Sequence, residues 1–348
     1  MSSIRYELTA IDLFAGAGGA TEGLRRAGFH VVAAVENDPA AAASLHRNHP
    51  RTLLDSRDIR KVDPVELRRK LHLRRGQLTL LKSCPPCQGY SSLRLGNKSD
   101  PRNDLILLTS KFVEAFFPKV ILLENVPGLR YDARLRKLIH RLTQAKYHVE
   151  TYLVDARDFG VPQRRKRLIL LATRVRTKLP ELLTGELLPG FGRGAPTLRS
   201  IFRYATTRAA RKDPLHRGRG LSGEVIARIR AIPVNGNRFD LPAHLSLACH
   251  ASLGRQAVAS YGRISIKGNC APTMTTRCTS PSCGSFIHPR ANRAITLREA
   301  ALIQTFPRRY VFCGNYGDVE RQIGNAVPVR MAKALGLIAK RFALRAAS

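Results

Sequence analysis

The sequence lacks both a long apolar run and an export-type leader. No uninterrupted apolar stretch approaches the roughly 18 residues that a membrane-spanning helix needs. The opening segment, MSSIRYELTAIDLF, has no basic stretch followed by an apolar one, so we expect no secretion signal. Internal repeats and low-complexity tracts are also missing. With 348 residues, 44% of them hydrophobic, the composition is typical of a soluble globular protein with one large domain and a smaller one.

Acidic residues are scarce. The chain has 25 Asp and Glu against 59 Lys and Arg, a formal net charge of +34. Because each neutralised phosphate releases condensed counterions, such an excess favours a polyanion as partner. Ribosomal-type and merely basic proteins share this property, so charge alone indicates nucleic acid without naming its kind.

The cysteines form no regular framework. There are seven, an odd number, which indicates free thiols in a reducing compartment. A cysteine is therefore available for chemistry.

The first half of the chain alternates predicted strands and helices. We predict strands at residues 8–14, 30–36, 52–54, 78–83, 119–124, 147–154 and 167–173, and helices after the first strand and at 40–47 and 105–117. This alternation is typical of an open parallel sheet covered by helices on both faces. Residues 177–290 are rich in Gly, Pro, Arg and Ser, which predicts a second, loop-rich domain. Two more helices are predicted at 296–304 and 327–342.

A glycine-rich turn follows the first predicted strand. The segment DLFAGAGG, residues 12–19, leads into a helix, and such a turn lets a nucleotide-type cofactor approach the backbone and the helix N-terminus. Hydride-transfer enzymes share the feature, and so do tight turns that bind nothing. Glu36 ends the second strand, where an acid would accept hydrogen bonds from ribose hydroxyls, although a solvated acid gives the same pattern. The turn and Glu36 together favour ligand binding.

A cysteine motif follows the fourth predicted strand, at the sheet edge where α/β proteins bind ligands. It reads SCPPCQGYS, residues 83–91. Because Cys84 and Cys87 form a CxxC pair, zinc binding and dithiol redox chemistry are two alternative functions to consider. No second pair supplies the missing zinc ligands, since four residues separate Cys278 from Cys283, and a thioredoxin-like motif has a different βαβ context. A lone nucleophilic thiol at Cys87 fits better than either, with an inert half-buried thiol as the alternative. We expect no metal site.

An acid ends the fifth predicted strand. In LLENVPGL, residues 122–129, Glu124 projects toward the same rim as Cys87. A cysteine and an acid at one rim suit the addition of a thiolate to an electron-poor ring, with the acid protonating a ring nitrogen. The alternative is that Glu124 only caps the next turn.

Four consecutive cations precede the seventh predicted strand, in QRRKRL at residues 163–168. If the strand begins here, Arg165 and Arg167 share a face and would bind a phosphate and a carbonyl oxygen together. A run of cations is more commonly a solvated face.

In this order the segments resemble the DNA (cytosine-5)-methyltransferase family of prokaryotic type. The order is diagnostic: DLFAGAGG, VENDP, PPCQGYS, ENVPGL, QRRKRL, then REAALIQTFP and the GNAVP of QIGNAVP, residues 322–328, whose Gly-Asn reads as a turn. The match covers roughly residues 1–175 and 293–340. Only the loop-rich middle is unmatched.

The resemblance implies a role for each matching residue. Implied cofactor-binding residues are Phe14, Gly16, Gly18 and Gly19 at the methionine end, Glu36 at the ribose, Asn37, Asp58 and Ile59 at the adenine, and Leu105, Asn325 and Ala326 closing the pocket. Implied catalytic residues are Cys87, Glu124, Arg165 beside the thiol and Arg167 at the base carbonyl, with Gln88, Ser91, Asn125 and Gln163 as further substrate contacts.

Two positions depart from the family pattern. Ser83 and Cys84 replace a common Gly-Gly, and Thr79 stands where an acid is frequent. We assign neither position any chemistry, so we expect little effect on the reaction.

The implied reaction is methyl transfer from S-adenosylmethionine to C5 of a flipped-out cytosine in a specific DNA sequence. Addition of the Cys87 thiolate at C6, with protonation of N3 by Glu124, makes C5 nucleophilic, and elimination of the thiolate restores the ring. The implied partners are double-stranded DNA and a cognate restriction endonuclease. We expect a monomer that works on DNA in the cytoplasm, away from membranes.

The implied fold is a class I methyltransferase, a Rossmann-like, mostly parallel sheet with helices on both faces. We predict a catalytic and cofactor-binding domain at 1–176, completed by 318–348, and a smaller, loop-rich target-recognition domain at 177–317 that reads bases in the major groove.

Three other functions remain open at this point. The transfer-RNA-modifying branch of the same family is the nearest, although the large basic middle region favours DNA. A catalytically dead DNA-binding regulator is disfavoured by the intact Cys87, Glu124 and Arg167. A nucleotide-dependent oxidoreductase has only the glycine turn in its favour.

Overall fold

The computed structural model describes residues 8–86, 100–174, 188, 191, 193–204, 206–248 and 260–345. Its centre is a seven-stranded sheet with the order β3-β2-β1-β4-β5-β7-β6. The strands are β1 (Thr9–Leu13), β2 (His30–Val35), β3 (Leu53–Asp55), β4 (Leu80–Ser83), β5 (Val120–Asn125), β6 (His148–Asp155) and β7 (Lys166–Thr173). Neighbours among β1 to β5 pair in parallel, whereas β7 runs antiparallel to both β5 and β6. The predicted mostly parallel sheet is confirmed, with one reversed strand.

The α-helices in the described residues are α1 (Gly19–Arg26), α2 (Pro39–Asn48), α3 (Pro64–Lys70), α4 (Leu108–Phe116), α5 (Ala133–Gln144), α6 (Leu198–Tyr204), α7 (Arg208–Arg211), α8 (Gly223–Ala231), α9 (Leu297–Ile303), α10 (Tyr316–Asn325) and α11 (Val329–Arg345). Among them, α1 and α11 cover one face of the sheet, and α3, α4 and α5 cover the other. Because both faces are covered, every residue of β5, VILLEN, is buried.

Each face has its own apolar core. Leu80 and Val120 point to the face packed by α1 and α11, while Leu81 and Ile121 point to the face packed by α4 and α5. Alternation along the strands separates the two sets. The sheet is therefore the middle layer of three, and the carboxyl ends of β1, β2, β4 and β5 meet at one rim.

The loop-rich middle of the chain shares a core with the remainder. Among the described residues of this region, short helices and isolated bridges occur in place of strands. A third apolar cluster joins Leu198 and Met274 to Ile303 of α9, Ile323 of α10 and Ala17 of the glycine turn. The predicted domain boundaries stay a prediction.

Some elements were not predicted and others were shifted along the chain. The helices α3, α5, α6, α7, α8 and α10 were not predicted, and the predicted helix at 105–117 is a 3-10 turn, Pro101–Leu107, followed by α4. No helix in the described parts of the chain combines the length and apolar character needed to cross a lipid bilayer.

Candidate active site

The glycine turn opens onto free space at the rim. Phe14, Gly16 and Gly18 all have positive φ, of 56°, 56° and 89°, which only glycine adopts without cost. A Cβ built on Gly16 would meet no atom within 4 Å, whereas one on Gly18 would lie 2.6 Å from the Tyr310 hydroxyl. Gly19 then begins α1. The turn is therefore packed from behind at Gly18 and open in front at Gly16.

Glu36 closes the turn from the end of β2. Its Oε2 accepts a hydrogen bond from the Gly16 amide at 2.8 Å, and Oε1 accepts one from the Asp38 amide at 2.7 Å. Burial raises the pKa of Glu36 above its usual value, although both amide bonds act against that rise. The structure thus brings Glu36 and the glycine turn together.

Three of the implied cofactor contacts share one apolar cluster. Ile59 is a buried member of it, and Phe14 and Leu105 are partly buried and pack against it. Asp58 and Asn37 differ from these: Asn37 is exposed, and Asp58 pairs with Arg60 at 2.5 Å, which lowers the pKa of Asp58 to about 2.

The end of α10 supplies the remaining implied pocket residues. Asn325 is the last residue of the helix and is exposed, and Ala326 follows it and is buried. The sequence reading of Gly-Asn as a turn is wrong, because Gly324 and Asn325 lie in the last helical turn.

These groups fit S-adenosylmethionine. The open space at Gly16 admits a ligand against the backbone, Glu36 is a half-buried carboxylate able to accept hydrogen bonds from hydroxyl groups, and Phe14, Ile59 and Leu105 are apolar side chains of one cluster.

Glu124 lies at the same rim with both carboxylate oxygens engaged. Its Oε1 is 2.8 Å from Nε of Arg167, and its Oε2 accepts a hydrogen bond from the Cys84 thiol at 2.9 Å. The Glu124 side chain is only 5% exposed. Cys87, Gln88 and Ser91 lie outside the described residues.

A buried ion pair adjoins this group. Lys82 of β4 and Asp12 of β1 are in register, and Nζ lies 2.8 Å from Oδ1 with both side chains at most 3% exposed. The Thr21 hydroxyl donates to the other Asp12 oxygen at 2.7 Å. Burial acts to lower the pKa of Lys82, but Asp12 and the acidic groups of Cys84 and Glu124 together outweigh it, so the pKa is raised.

The sequence analysis missed this pair, although a signal existed. Lys82 and Asp12 are the charged residues of two otherwise apolar strands, LTLLKS and LTAIDLF. A charge on a strand that is buried on both faces needs a partner, and adjacent strands supply one.

Arg165 binds the protein's own backbone. Its guanidinium donates to the carbonyl oxygens of Met274 at 2.9 Å, Gly324 at 3.2 Å and Ala326 at 3.1 Å. Burial, with the neighbouring Arg167 charge, lowers the pKa of Arg165 to about 9. Arg165 thus joins the rim to two later segments, and contact with substrate stays a prediction.

Asn125 and Gln163 also bind protein groups. Asn125 Nδ2 donates to the Pro85 carbonyl at 2.9 Å, which fixes the chain two residues before Cys87. Gln163 donates to Gln304 Oε1 at 2.8 Å and accepts from the Met274 amide at 2.8 Å.

Comparison with known proteins agrees with this geometry. The family model of C-5 cytosine-specific DNA methylases matches residues 8–340. The Type II methylase M.HgiDII of Herpetosiphon aurantiacus is 34% identical over 346 residues, with 95% of each chain covered. The Type II methyltransferase M.XorII of Xanthomonas oryzae pv. oryzae is 31% identical, covering 94% of this chain and 83% of that protein.

Solved structures show the same fold. A chain described as a DNA modification methyltransferase encoded within a prophage (E. coli) has a TM-score of 0.68 and 25% identity, covering 97% of this chain and 100% of its own. The S. pombe Dnmt2 methyltransferase has a TM-score of 0.63 and 18% identity, covering 96% and 99%, and shows the fold alone. Since the family model spans nearly the whole length, the chain belongs to the C-5 cytosine-specific DNA methylases, enzymes that use S-adenosylmethionine to methylate cytosine at C5 in DNA.

Proposed function

We propose that Cys87 attacks C6 of a cytosine flipped out of the duplex and that Glu124 protonates N3 of that base. The observation that carries the proposal is the placement of Glu124 at the rim, with its two oxygens on Arg167 and Cys84 and its neighbour Asn125 holding Pro85. Cys87 lies two residues after Pro85 in the sequence, which supports the proposal that the nucleophile and the acid act on the same base.

The electron flow suits these residues. The Cys87 thiolate forms the S–C6 bond, and the C5–C6 π electrons move through the ring toward N3. N3 takes the proton of Glu124, which enters this step as a carboxylic acid and leaves it as a carboxylate. C5 of the resulting enamine is nucleophilic. S-adenosylmethionine, when bound, supplies an electrophilic methyl group. Loss of the C5 proton to a base then expels the Cys87 thiolate with its bonding pair. N3 returns its proton to Glu124, and the aromatic ring is restored.

Base flipping follows from where C6 lies in a duplex. The atom is inside the base stack, and taking the base out costs a few kcal/mol. Contacts of lysine and arginine with backbone phosphates offset that cost. The sequence has 59 lysine and arginine residues from which such contacts can come.

Cofactor binding in this proposal uses three groups of residues. The turn of Phe14, Gly16, Gly18 and Gly19 holds the methionine end and Glu36 holds the ribose hydroxyls. Asn37, Asp58, Ile59, Leu105, Asn325 and Ala326 surround the adenine. The open space in front of Gly16 and the shared cluster of Phe14, Ile59 and Leu105 support this assignment.

Sequence specificity belongs, in the same proposal, to residues 177–317, which we assign to target recognition. The Type II names of the relatives support a restriction endonuclease of the same specificity as partner. To test the choice of nucleic acid, duplex DNA and total transfer RNA are each incubated with the enzyme and a labelled methyl donor. Transfer of the label to transfer RNA and not to DNA would overturn the proposal.

A trapping experiment tests the covalent step. On DNA with fluorine at C5 of the target cytosine, no proton can leave C5, so the S–C6 adduct accumulates. We expect a denaturation-resistant complex with the wild-type chain and with Cys84→Ser. We expect none with Cys87→Ser, because a hydroxyl is far less nucleophilic than a thiolate. The Cys87→Ser variant should still fold and bind cofactor. An adduct mapped to Cys84, or methyl transfer by Cys87→Ser, would refute the assignment.

A further inference from the structure

One side chain at the rim has no part in the proposed chemistry. Cys84 donates a hydrogen bond to Oε2 of Glu124 at 2.9 Å, while Arg167 pairs with Oε1 at 2.8 Å. The acid is thus held from two sides, by an ion pair at Oε1 and by a hydrogen bond from a neutral thiol at Oε2.

The backbone and its packing fix where the thiol lies. Ser83 pairs with Leu123 across β4 and β5, so Cys84 comes opposite Glu124. The Cys84 amide donates to the Leu13 carbonyl at 3.2 Å. Its side chain packs against the buried cluster of Ala20, Val327 and Ala332. The thiol is therefore held against Glu124 by the sheet on one side and by α1 and α11 on the other.

The charges around the thiol keep it protonated. Burial is the largest cause that raises the pKa of Cys84 far above its usual value, and the Glu124 carboxylate is the second largest. The cations Lys82 and Arg167 act in the opposite direction and do not outweigh them. Cys84 is accordingly a hydrogen-bond donor and not a second nucleophile.

We propose that Cys84 is a positioning residue that fixes the carboxylate of Glu124 in the orientation required at cytosine N3. The proposal rests on the proposed role of Glu124. With the ion pair to Arg167 alone, the carboxylate is free to rotate about that single contact, and a smaller fraction of bound cytosine meets it correctly. Misplacement of a reacting group lowers the rate of the chemical step and leaves phosphate contacts untouched.

Substitution of Cys84 separates the hydrogen bond from the packing. We expect Cys84→Ala to lower kcat about tenfold, equivalent to roughly 1.4 kcal/mol, with the KM for DNA nearly unchanged. Cys84→Ser keeps a donor and should recover kcat to within about threefold of wild type. The control is Cys278→Ala, which removes a fully buried thiol of the third cluster that does not contact Glu124, and should lower Tm without changing kcat. An unchanged kcat in Cys84→Ala, or a Cys84→Ser as slow as Cys84→Ala, would overturn the proposal.

Infrared spectroscopy gives a readout that does not depend on activity. The difference spectrum of wild type minus Cys84→Ser isolates the S–H stretch of Cys84, which should lie below the frequency of a thiol without a hydrogen bond. A band at the unbonded frequency would contradict the proposal even if the alanine variant does not fold. Full activity in Glu124→Gln would instead refute the role of Glu124. An inactive Glu124→Gln beside a fully active Cys84→Ala would refute the positioning role alone.

Discussion

Glu36 combines an unfavourable environment with two favourable hydrogen bonds. Its half-buried carboxylate accepts from the Gly16 and Asp38 amides, yet desolvation still raises its pKa. The folded protein therefore binds this proton more tightly than the unfolded chain does. The contribution of Glu36 to stability is present below its ordinary pKa and is lost as the pH rises through the raised one. A carboxylate kept at a cost to stability suits a binding role.

We predict that Glu36→Ala weakens binding of S-adenosylhomocysteine on the order of 10- to 100-fold, since hydrogen bonds to a charged acceptor are worth about 1.5–3 kcal/mol each. DNA affinity should hardly change. As the pH falls through the raised pKa of Glu36, the wild-type affinity for this ligand should fall, because the protonated acid is a poorer acceptor. The alanine variant should lack that pH dependence.

Calorimetric titration between neutral and acidic pH measures both effects. Glu114→Ala, which removes an exposed acid from α4, is the control for the change in net charge. Equal dissociation constants for Glu36→Ala and wild type would mean that Glu36 is only a surface acid.

At the scale of the element, the backbone of α10 packs at Gly324 directly against the backbone of the loop that follows Met274. A Cβ on Gly324 would lie 2.0 Å from the Thr275 carbonyl oxygen and 2.2 Å from its carbon, and both are backbone atoms that cannot swing aside. The same contact places the Met274 and Gly324 carbonyls on Arg165. The glycine is therefore required by the approach of two backbones.

We predict that Gly324→Ala lowers the free energy of unfolding by about 1–3 kcal/mol, as overpacking of a close contact does. Gly317→Ala is the matched control in the same helix, because its nearest added contact is an ordinary 3.4 Å to Asn315 Oδ1. That variant should be neutral or slightly stabilising, since alanine is the better helix former. Chemical denaturation of both variants checks the prediction, and equal effects would show that the close approach is not what constrains position 324.

The elements also show what sequence can and cannot predict. The strands were predicted to within about two residues, because buried strands of a parallel sheet are continuous apolar runs bounded by turns. The helix α5 was missed because charges interrupt it, although Leu135, Leu138 and Leu142 mark its buried face and Asp132 caps it. The antiparallel direction of β7 could not be predicted, because the pattern of apolar and polar residues along a strand does not depend on the direction in which the strand runs.

The candidate site divides in the same way. The proximity of Glu36 to the glycine turn follows from strand order, because the carboxyl ends of neighbouring parallel strands share a rim. The burial of Arg165 under Met274 and Ala326, and the bond from Cys84 to Glu124, depend on side-chain directions and on segments far away in the chain. Periodicity carries no information about either.

At the scale of the whole molecule, the third apolar cluster crosses the predicted domain boundary. Leu198 and Met274, inside residues 177–317, share that cluster with Ala17 and Ile323. Residues 218–248 contribute no buried member to it and pack instead around Ile229. Exchange of the whole block therefore disturbs the rim more than exchange of the smaller segment does.

We predict that a chimaera carrying residues 177–317 of another family member methylates a different sequence, because base-edge contacts specify and phosphate contacts only position. A second chimaera that exchanges only 218–248 should be the more stable one, since it keeps the third cluster whole. Bisulfite mapping of DNA from cells expressing each chimaera identifies the methylated cytosines, and thermal unfolding compares their stability. An active 177–317 chimaera that kept the original target would show that specificity lies elsewhere in the chain.

The covering of the sheet by α11 has a consequence for synthesis on the ribosome. All seven strands lie within residues 9–173, yet Leu80, Val120 and Leu122 pack against Met331 and Leu335 of α11. At about 5–20 residues per second, roughly 10–30 s separate the emergence of β7 from that of α11. Throughout that interval the part of this apolar face that α11 covers is open, and Arg165 lacks its partners at Gly324 and Ala326. We therefore expect the nascent chain to offer this apolar surface to chaperones until α11 has left the exit tunnel.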